Sequence, residues 1–120
     1  MIKEALQLGI IGETTVKLYF LKRGYEVYVG DDNTYFDFIV HNPKTNEIKT
    51  VEVKTTRSRS KDNKSWRVDI RKKRSVTLNF DSSKVDLLVV YIEPVDEIRI
   101  FKGKDIKQLT ELRLTDNVGE

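Results

Sequence analysis

The stretch YFDFIVHNPKTNEIKTVEVKTT, residues 35–56, contains two runs of apolar and β-branched residues that flank a polar turn. Such runs predict strands, here over residues 35–41 and 47–56. The Asn-Pro-Lys-Thr-Asn segment between them, residues 42–46, has the composition of a turn. The stretch therefore predicts a β-hairpin, around which the rest of the fold is arranged.

Two carboxylates meet across the predicted hairpin. With the turn ending at residue 47, His41 pairs with Ile48, and Asp37 then lies opposite Glu52. Like charges that face each other across a ladder repel, and a charge set in an apolar strand is costly to bury. A divalent cation between the two side chains removes both penalties, because hard cations prefer carboxylate oxygens. The hairpin therefore predicts a metal site.

A lysine belongs to the same predicted site. Lys54 lies two residues after Glu52, and side chains alternate along a strand, so both point to the same face. A lysine there can contact a substrate phosphate and offset the charge that develops during hydrolysis. The simpler alternative is an exposed Glu52–Lys54 ion pair on an edge strand, which contributes little stability.

The remaining sequence predicts one mixed α/β domain that spans residues 1–120. Apolar residues recur at helical spacing over 2–22, with Gly24 at the position of a helix C-cap, and a short strand follows over 25–29. Residues 87–92, Leu-Leu-Val-Val-Tyr-Ile, are continuously apolar, as in a strand buried on both faces of a sheet. Burying that strand requires a helix on at least one face, so we expect a mixed β-sheet flanked by helices.

The other segments are less regular. Their composition predicts a mobile basic loop over 57–64 and leaves residues 72–80 and the tail from 112 unassigned. The remaining predicted elements are a strand over 66–71, one helical turn over 82–85 capped by Ser82 or Ser83, a strand over 97–101 and a short helix over 104–109.

Composition limits the classes of protein that the chain can represent. It contains no cysteine, which excludes a disulfide framework and a thiolate metal site. The first residues lack the pattern of a secretory signal, and no apolar run reaches the length of a membrane span. We therefore expect a cytoplasmic protein that has no membrane partner.

Positive charge is concentrated in residues 57–74, although the net charge of the chain is only +3. Asp62 and Asp69 are the acidic residues of this segment. A concentrated basic segment is typical of a polyanion-binding surface, and its position soon after Lys54 favours phosphate contacts. A solvated surface loop is the alternative. The basic side chains are Arg57, Arg59, Lys61, Lys64, Arg67, Arg71, Lys72, Lys73 and Arg74.

Three pieces of sequence now form one pattern. Gly12-Glu13 in the first helix, Asp37 in the hairpin and Glu52-Val53-Lys54 in the next strand resemble the motif of the PD-(D/E)xK nucleases. The pattern is most similar to small archaeal-type Holliday junction resolvases and to related homing and restriction-like endonucleases. The resemblance implies a restriction-endonuclease-like α/β fold.

The resemblance also implies a role for each residue of the motif. Asp37 and Glu52 ligate Mg²⁺ or Mn²⁺ with the backbone carbonyl of Val53, and Lys54 is the catalytic lysine. Glu13 completes the acidic cluster or binds the metal ion through water. The implied partners are DNA, as a junction or a duplex, and a second copy of the chain in a homodimer. For Glu13, an ordinary surface charge on the helix is the alternative.

The sequence therefore predicts a magnesium-dependent DNA endonuclease, with Holliday junction resolution in DNA recombination as its most specific form. A homing or restriction-like endonuclease is the nearest alternative, because the glutamine that some members place after the lysine has no clear counterpart here. Phe36 replaces the proline of the motif, at a position that varies in the family. A DNA-binding module with a silent site and a structural subunit that binds RNA are the alternatives from other classes. We expect His41 at the surface and Trp66 in the core.

Overall fold

The computed structural model describes residues 2–31, 33–73 and 75–116 of the chain. Its elements, in chain order, are α1 (Ile2–Lys22), β1 (Glu26–Val29), β2 (Phe38–His41), β3 (Ile48–Thr56), β4 (Ser58–Arg59), β5 (Ser65–Asp69), β6 (Lys72–Lys73), β7 (Thr77–Leu78), β8 (Leu87–Ile92), β9 (Glu97–Lys102) and β10 (Glu111–Thr115). Single 3₁₀ turns lie at Glu93–Val95 and Gly103–Asp105. No helix in these ranges is long and apolar enough to cross a membrane.

The central sheet has five strands in the order β1-β2-β3-β8-β9. Strands β3 and β8 run parallel, and the other neighbours are antiparallel. The β2–β3 hairpin has the predicted register, with His41 opposite Ile48. Asp37 lies in a bend one residue before β2, not within the strand as predicted, yet its N–H still donates to the Val51 carbonyl at 2.9 Å. The hairpin therefore carries Asp37 to the middle of β3.

Helix α1 covers one face of this sheet and has the bounds predicted from the sequence. Gly24 follows it with φ 86°, the left-handed conformation that favours glycine at a helix C-cap. At Gly12 the helix approaches β3 so closely that a Cβ atom would lie 1.7 Å from Thr55 Oγ1. This contact brings the next residue, Glu13, close to β3. The core beneath the helix contains Val16, Phe20, Phe38, Val40, Val51, Val53, Val89 and Tyr91.

A second sheet, in the order β10-β5-β4, contributes the other layer. Strand β8 is buried on both faces, as predicted, because alternate side chains enter the two cores. Among the described residues α1 is the single α-helix, so strands rather than further helices cover the second face. The core on this side contains Trp66, Val68, Ile70, Phe80, Val85, Leu88, Val90, Ile92, Ile106, Leu112 and Leu114.

Residues 57–64 are not the mobile loop that their composition predicted. Ser58 and Arg59 form β4, which pairs with β5, and the turn that follows is closed by the Ser60 N–H donating to the Ser65 carbonyl at 2.9 Å. The Arg59 guanidinium lies 4.4 Å from the centre of the Trp66 ring. These contacts with residues further along the chain order a segment whose local composition suggested mobility.

Two predicted helical segments are also wrong. Residues 104–109 contain only the end of a 3₁₀ turn, and the Leu109 carbonyl accepts from the Phe80 N–H at 2.8 Å. Residues 82–85 form a turn rather than a helix. Its capping group is Asp81 Oδ1, which accepts from the Ser83 N–H at 3.0 Å, and not a serine side chain. In both places the backbone is held by partners that local propensity does not reveal.

Candidate active site

One open cleft of about 540 Å³ is lined by side chains from α1, the residue before β2, and strands β3, β5 and β6. Glu13, Asp37, Glu52, Val53 and Lys54 all line this cleft, so the structure brings together every residue of the predicted motif. The convergence depends on the hairpin register and on the close approach of α1 to β3. Three acidic side chains and a lysine therefore face the same space.

A backbone hydrogen bond holds the Asp37 carboxylate against β3. The Val53 N–H donates to Asp37 Oδ2 at 2.7 Å. The paired β2–β3 residues end at Phe38 and Val51, and the Asp37 side chain provides the next acceptor along β3. Since Val53 separates Glu52 from Lys54 in the sequence, Asp37 is fixed beside both ends of the Glu-Val-Lys motif.

Glu52 is a buried charge on an inner strand, with a side chain only 2% exposed. Its Oε1 and Oε2 lie 3.2 and 3.1 Å from Lys72 Nζ, and its Oε2 lies 3.6 Å from Lys54 Nζ. Burial and then the nearby Asp37 charge raise the pKa of Glu52 to about 7, although the two lysines oppose this rise. The alternative of an exposed ion pair on an edge strand is therefore wrong.

Glu13 faces the same acidic centre from the helix. Its side chain is half-buried, and burial together with the charge of Asp37 raises its pKa to about 7. An ordinary surface glutamate does not show such a shift, because its charge is solvated. The raised pKa values of Glu13 and Glu52 have the same two causes, which are burial first and the negative charge of Asp37 second.

The ammonium group of Lys54 lies near Glu52 but is hydrogen-bonded to a backbone carbonyl. Its Nζ donates to the Arg71 carbonyl at 2.8 Å, and its side chain is 18% exposed. Arg71 lies between β5 and β6, directly before β6, so the segment that follows the second sheet helps to position this ammonium group. Lys54 therefore presents a fixed positive charge at the wall of the cleft.

Lys72 lies in the candidate active site, although the sequence predicted it only as one of the DNA-binding basic residues. It begins β6, in the segment over 72–80 that remained unassigned, and its ammonium group contacts both oxygens of Glu52. Nothing in the sequence separated Lys72 from Lys73, because its position depends on the pairing of Lys72 with Leu78 in β6–β7. Arg74, which was also predicted to bind DNA, lies outside the described residues.

The side chains of the cleft fit a divalent cation. In the part of the chain that the structure describes, no three acidic or histidine side chains already form a metal-binding group. Mg²⁺ does not need such a group, since one or two protein carboxylates with waters and substrate phosphates commonly hold it. Asp37 and Glu52 offer two carboxylates, and the crowded negative charge around them is the electrostatic condition that a cation relieves.

Most of the predicted DNA-binding cations are already paired with acidic side chains. Of the nine, Arg71, Lys72 and Lys73 line the cleft itself, and Lys61 and Lys64 are exposed on the turn between β4 and β5. The ion pairs are Arg57–Glu93 at 2.9 Å, Arg59–Asp116 at 2.7 Å, Arg67–Glu111 at 2.9 Å, Arg71–Asp69 at 2.8 Å and Lys73–Asp69 at 3.1 Å. The basic segment is therefore a network of charges rather than a bare positive strip.

Comparison with known proteins identifies the fold. No family model and no curated protein sequence matches the chain. Among solved structures, the chain is similar to the bacterial homing endonuclease I-Ssp6803I, with a TM-score of 0.78 and 21% identity, over 93% of this chain and 78% of that one. The likeness confirms the predicted fold class, a mixed α/β arrangement in which an N-terminal helix precedes a mixed sheet.

Proposed function

We propose that the protein is a DNA endonuclease of the PD-(D/E)xK type that depends on a divalent cation. The observation that carries the proposal is the bond from the Val53 N–H to Asp37 Oδ2, which fixes this carboxylate beside buried Glu52 and beside Lys54. Two carboxylates placed side by side repel each other, and a divalent cation bound between them would offset this repulsion. The shared fold with a homing endonuclease supports the same conclusion.

Each side chain has a chemical role in this proposal. Asp37 and Glu52 would hold Mg²⁺ or Mn²⁺ with the carbonyl of Val53, and Glu13 would add negative charge on the helix side. When bound, the cation supplies the charge that polarises a phosphate and lowers the pKa of an attacking water. Lys54, held by the Arg71 carbonyl, offsets the negative charge that develops on the phosphate.

DNA is the proposed substrate, and two forms of it remain to be separated. The name of the structural neighbour favours a homing-like enzyme that cuts duplex DNA, whereas the sequence motif favours a resolvase that recognises a four-way junction. Both forms require two cuts, and one catalytic centre cuts one strand, so we further propose a homodimer. The cations at the β4–β5 turn and along the cleft would contact the DNA backbone.

Incubation with defined substrates tests the proposed activity. Purified protein with Mg²⁺ is given a four-way junction, a linear duplex, a single strand and RNA, and the products are separated on denaturing gels. We expect cleavage of duplex or junction DNA that requires the cation. Preferential cutting of the junction supports a resolvase, and sequence-dependent cutting of the duplex supports a homing-like enzyme. No cleavage of any substrate with Mg²⁺ or Mn²⁺ would favour a binding module with a silent site.

Isosteric variants link that activity to the site. Asp37→Asn keeps an oxygen that accepts from the Val53 N–H but loses the charge, and we expect cleavage to fall by about 10²-fold or more while DNA binding is retained. The control is Glu47→Gln, which removes an exposed carboxylate on the hairpin turn and should leave cleavage unchanged. Equal activity of Asp37→Asn and wild type would contradict the proposed site.

A further inference from the structure

The ammonium group of Lys72 lies closer to the Glu52 carboxylate than that of Lys54 does. Lys72 Nζ lies 3.1 and 3.2 Å from the two carboxylate oxygens, whereas Lys54 Nζ is 3.6 Å from one of them. The Lys72 side chain is 15% exposed and that of Glu52 only 2%, so water screens this pair little. Lys72 is therefore the lysine in direct contact with both oxygens of Glu52, although the charge of Lys54 opposes the raised pKa of Glu52 at least as strongly.

A divalent cation and Lys72 compete for the same atoms. A cation held by Asp37 and Glu52 must use at least one Glu52 oxygen, and the Lys72 ammonium already lies within hydrogen-bonding distance of both. Two positive groups that approach one carboxylate closely also repel each other. Each carboxylate oxygen can accept more than one partner, so it is this repulsion that favours partial withdrawal of Lys72 from Glu52 when the cation binds.

The structure gives Lys72 room to move. Strands β6 and β7 are two residues long, and in the described ranges they pair only with each other. An isolated two-stranded hairpin of this size is held weakly by its own hydrogen bonds. Lys54, by contrast, lies on a nine-residue inner strand and is tied to the Arg71 carbonyl. Of the two lysines, Lys72 is the one that can change position without disturbing the central sheet.

The space around Lys72 also provides another place for its ammonium group. The side chain lines both the main cleft and an adjoining one of about 550 Å³, which has Glu13 and Asp37 in its wall as well. Lys72 Nζ lies 5.3 Å from the centre of the Tyr35 ring, within the range of a cation–π contact. A displaced Lys72 thus stays beside the acidic centre, where a DNA phosphate has to approach.

We propose that Lys72 is a second active-site lysine, which neutralises Glu52 when no cation is bound and contacts the DNA phosphate after a cation has displaced it. The inference rests on the proposed nuclease function. Lys72 thereby keeps a buried carboxylate compensated in the free protein, and its charge becomes available only when the cation is bound. It differs from Lys54, whose charge is fixed in both states.

Lys72→Met tests this exchange because the two halves of the proposal predict opposite effects. Without the competing ammonium, Mn²⁺ titrated into the protein in the absence of DNA should bind about tenfold more tightly, as measured by calorimetry. At saturating Mn²⁺, single-turnover cleavage should nevertheless fall by about 10²-fold, since one positive charge at the phosphate is lost. Lys72→Arg retains that charge and should recover part of the cleavage rate.

The matched control is Lys84→Met. Lys84 Nζ lies 5.5 Å from the same Tyr35 ring but belongs to the turn before β8, and the variant should change neither Mn²⁺ affinity nor cleavage. A structural role for Lys72 predicts weaker Mn²⁺ binding, slower cleavage and a lower melting temperature together, and this result would overturn the proposal. Mn²⁺ affinity equal to that of wild type, or full cleavage by Lys72→Met, would overturn it as well.

Failure of the nuclease function can be told apart from failure of this inference. If wild type cleaves no nucleic acid but Lys72→Met binds Mn²⁺ more tightly, the nuclease proposal fails while the competition between Lys72 and the cation stands. If wild type cleaves DNA and the variant binds Mn²⁺ no more tightly, the nuclease proposal stands and Lys72 has no such role.

Discussion

At the scale of single residues, Glu52 determines the electrostatics of the cleft. Its carboxyl group is almost completely buried, and it lies between the negative charge of Asp37 and the positive charges of Lys54 and Lys72. Burying a charge is costly unless partners compensate it. Burial and the charge of Asp37 raise the pKa of Glu52 to about 7 although both lysines oppose this rise, so we expect a bound divalent cation to stabilise the charged carboxylate.

The raised pKa predicts how stability depends on pH. The carboxyl of Glu52 titrates at about 7 in the folded protein but near 4.5 when exposed, so the folded state binds the extra proton between these values. Its contribution to the free energy of unfolding is therefore full below pH 4.5 and is lost as the pH rises through 7. Glu52→Gln does not titrate, so its melting temperature relative to wild type should be higher at pH 8 than at pH 5.

Calorimetry of both proteins at the two pH values checks this prediction without requiring any activity. Groups outside the cleft titrate equally in wild type and variant, so the comparison isolates the acidic centre to which Glu52 belongs. Addition of Mg²⁺ at pH 8 should raise the melting temperature of wild type more than that of Glu52→Gln, because a cation that binds the folded state stabilises it. A difference in melting temperature between variant and wild type that does not change with pH would contradict the raised pKa of Glu52.

At the scale of elements, the contact of α1 with β3 positions Glu13. A Cβ atom on Gly12 would lie 1.7 Å from Oγ1 and 2.9 Å from Cβ of Thr55, so the helix can come this close only because residue 12 is glycine. Gly9, one turn earlier on the same helix, has nothing within 4 Å of such an atom. The two glycines therefore form a natural pair for a test.

Alanine substitutions at the two glycines should have opposite effects. Gly9→Ala should stabilise the protein by roughly 0.5–1 kcal/mol, because alanine restricts the unfolded chain and favours a helix. Gly12→Ala should destabilise it by about 1–3 kcal/mol, because the helix must move away from Thr55. Chemical denaturation measures both values. A Gly12→Ala protein as stable as wild type would show that the helix does not rely on this close approach.

Elements defined by local sequence were predictable, and those defined by distant partners were not. The turn at 42–46 and the alternation on either side of it set the register of β2 and β3, which is why Asp37 could be paired with Glu52 from the sequence. Strand β4 has only two residues and exists because β5 lies beside it. The position of Lys72 could not be predicted from the sequence for the same reason, because β6 is a two-residue strand within an irregular segment.

At the scale of the whole molecule, the paired charges of the basic segment affect DNA binding. A cation that already has an acidic partner must release it before it contacts a phosphate, so it contributes less to affinity than an exposed lysine does. Lys61 and Lys64 are exposed on the β4–β5 turn and are the best placed of the predicted cations to contact the DNA backbone.

The salt dependence of DNA binding tests this difference. Each phosphate contact steepens the fall of log affinity with log salt by about 0.9. The double variant Lys61→Ala/Lys64→Ala should therefore reduce the slope by about 2 relative to wild type, measured by fluorescence anisotropy with Ca²⁺ in place of Mg²⁺. Arg57→Ala, which removes a cation paired with Glu93, should change the slope less. An unchanged slope in the double variant would exclude this turn from the DNA interface.

A crystal soaked in Mn²⁺ shows whether Asp37 and Glu52 share one divalent cation. We expect a single anomalous peak in contact with a carboxylate oxygen of each residue, with Lys72 moved away from Glu52, and no such peak in crystals of Asp37→Asn. Absence of a peak at this position in a saturated wild-type crystal, with Lys72 still bound to Glu52, would rule out a shared cation.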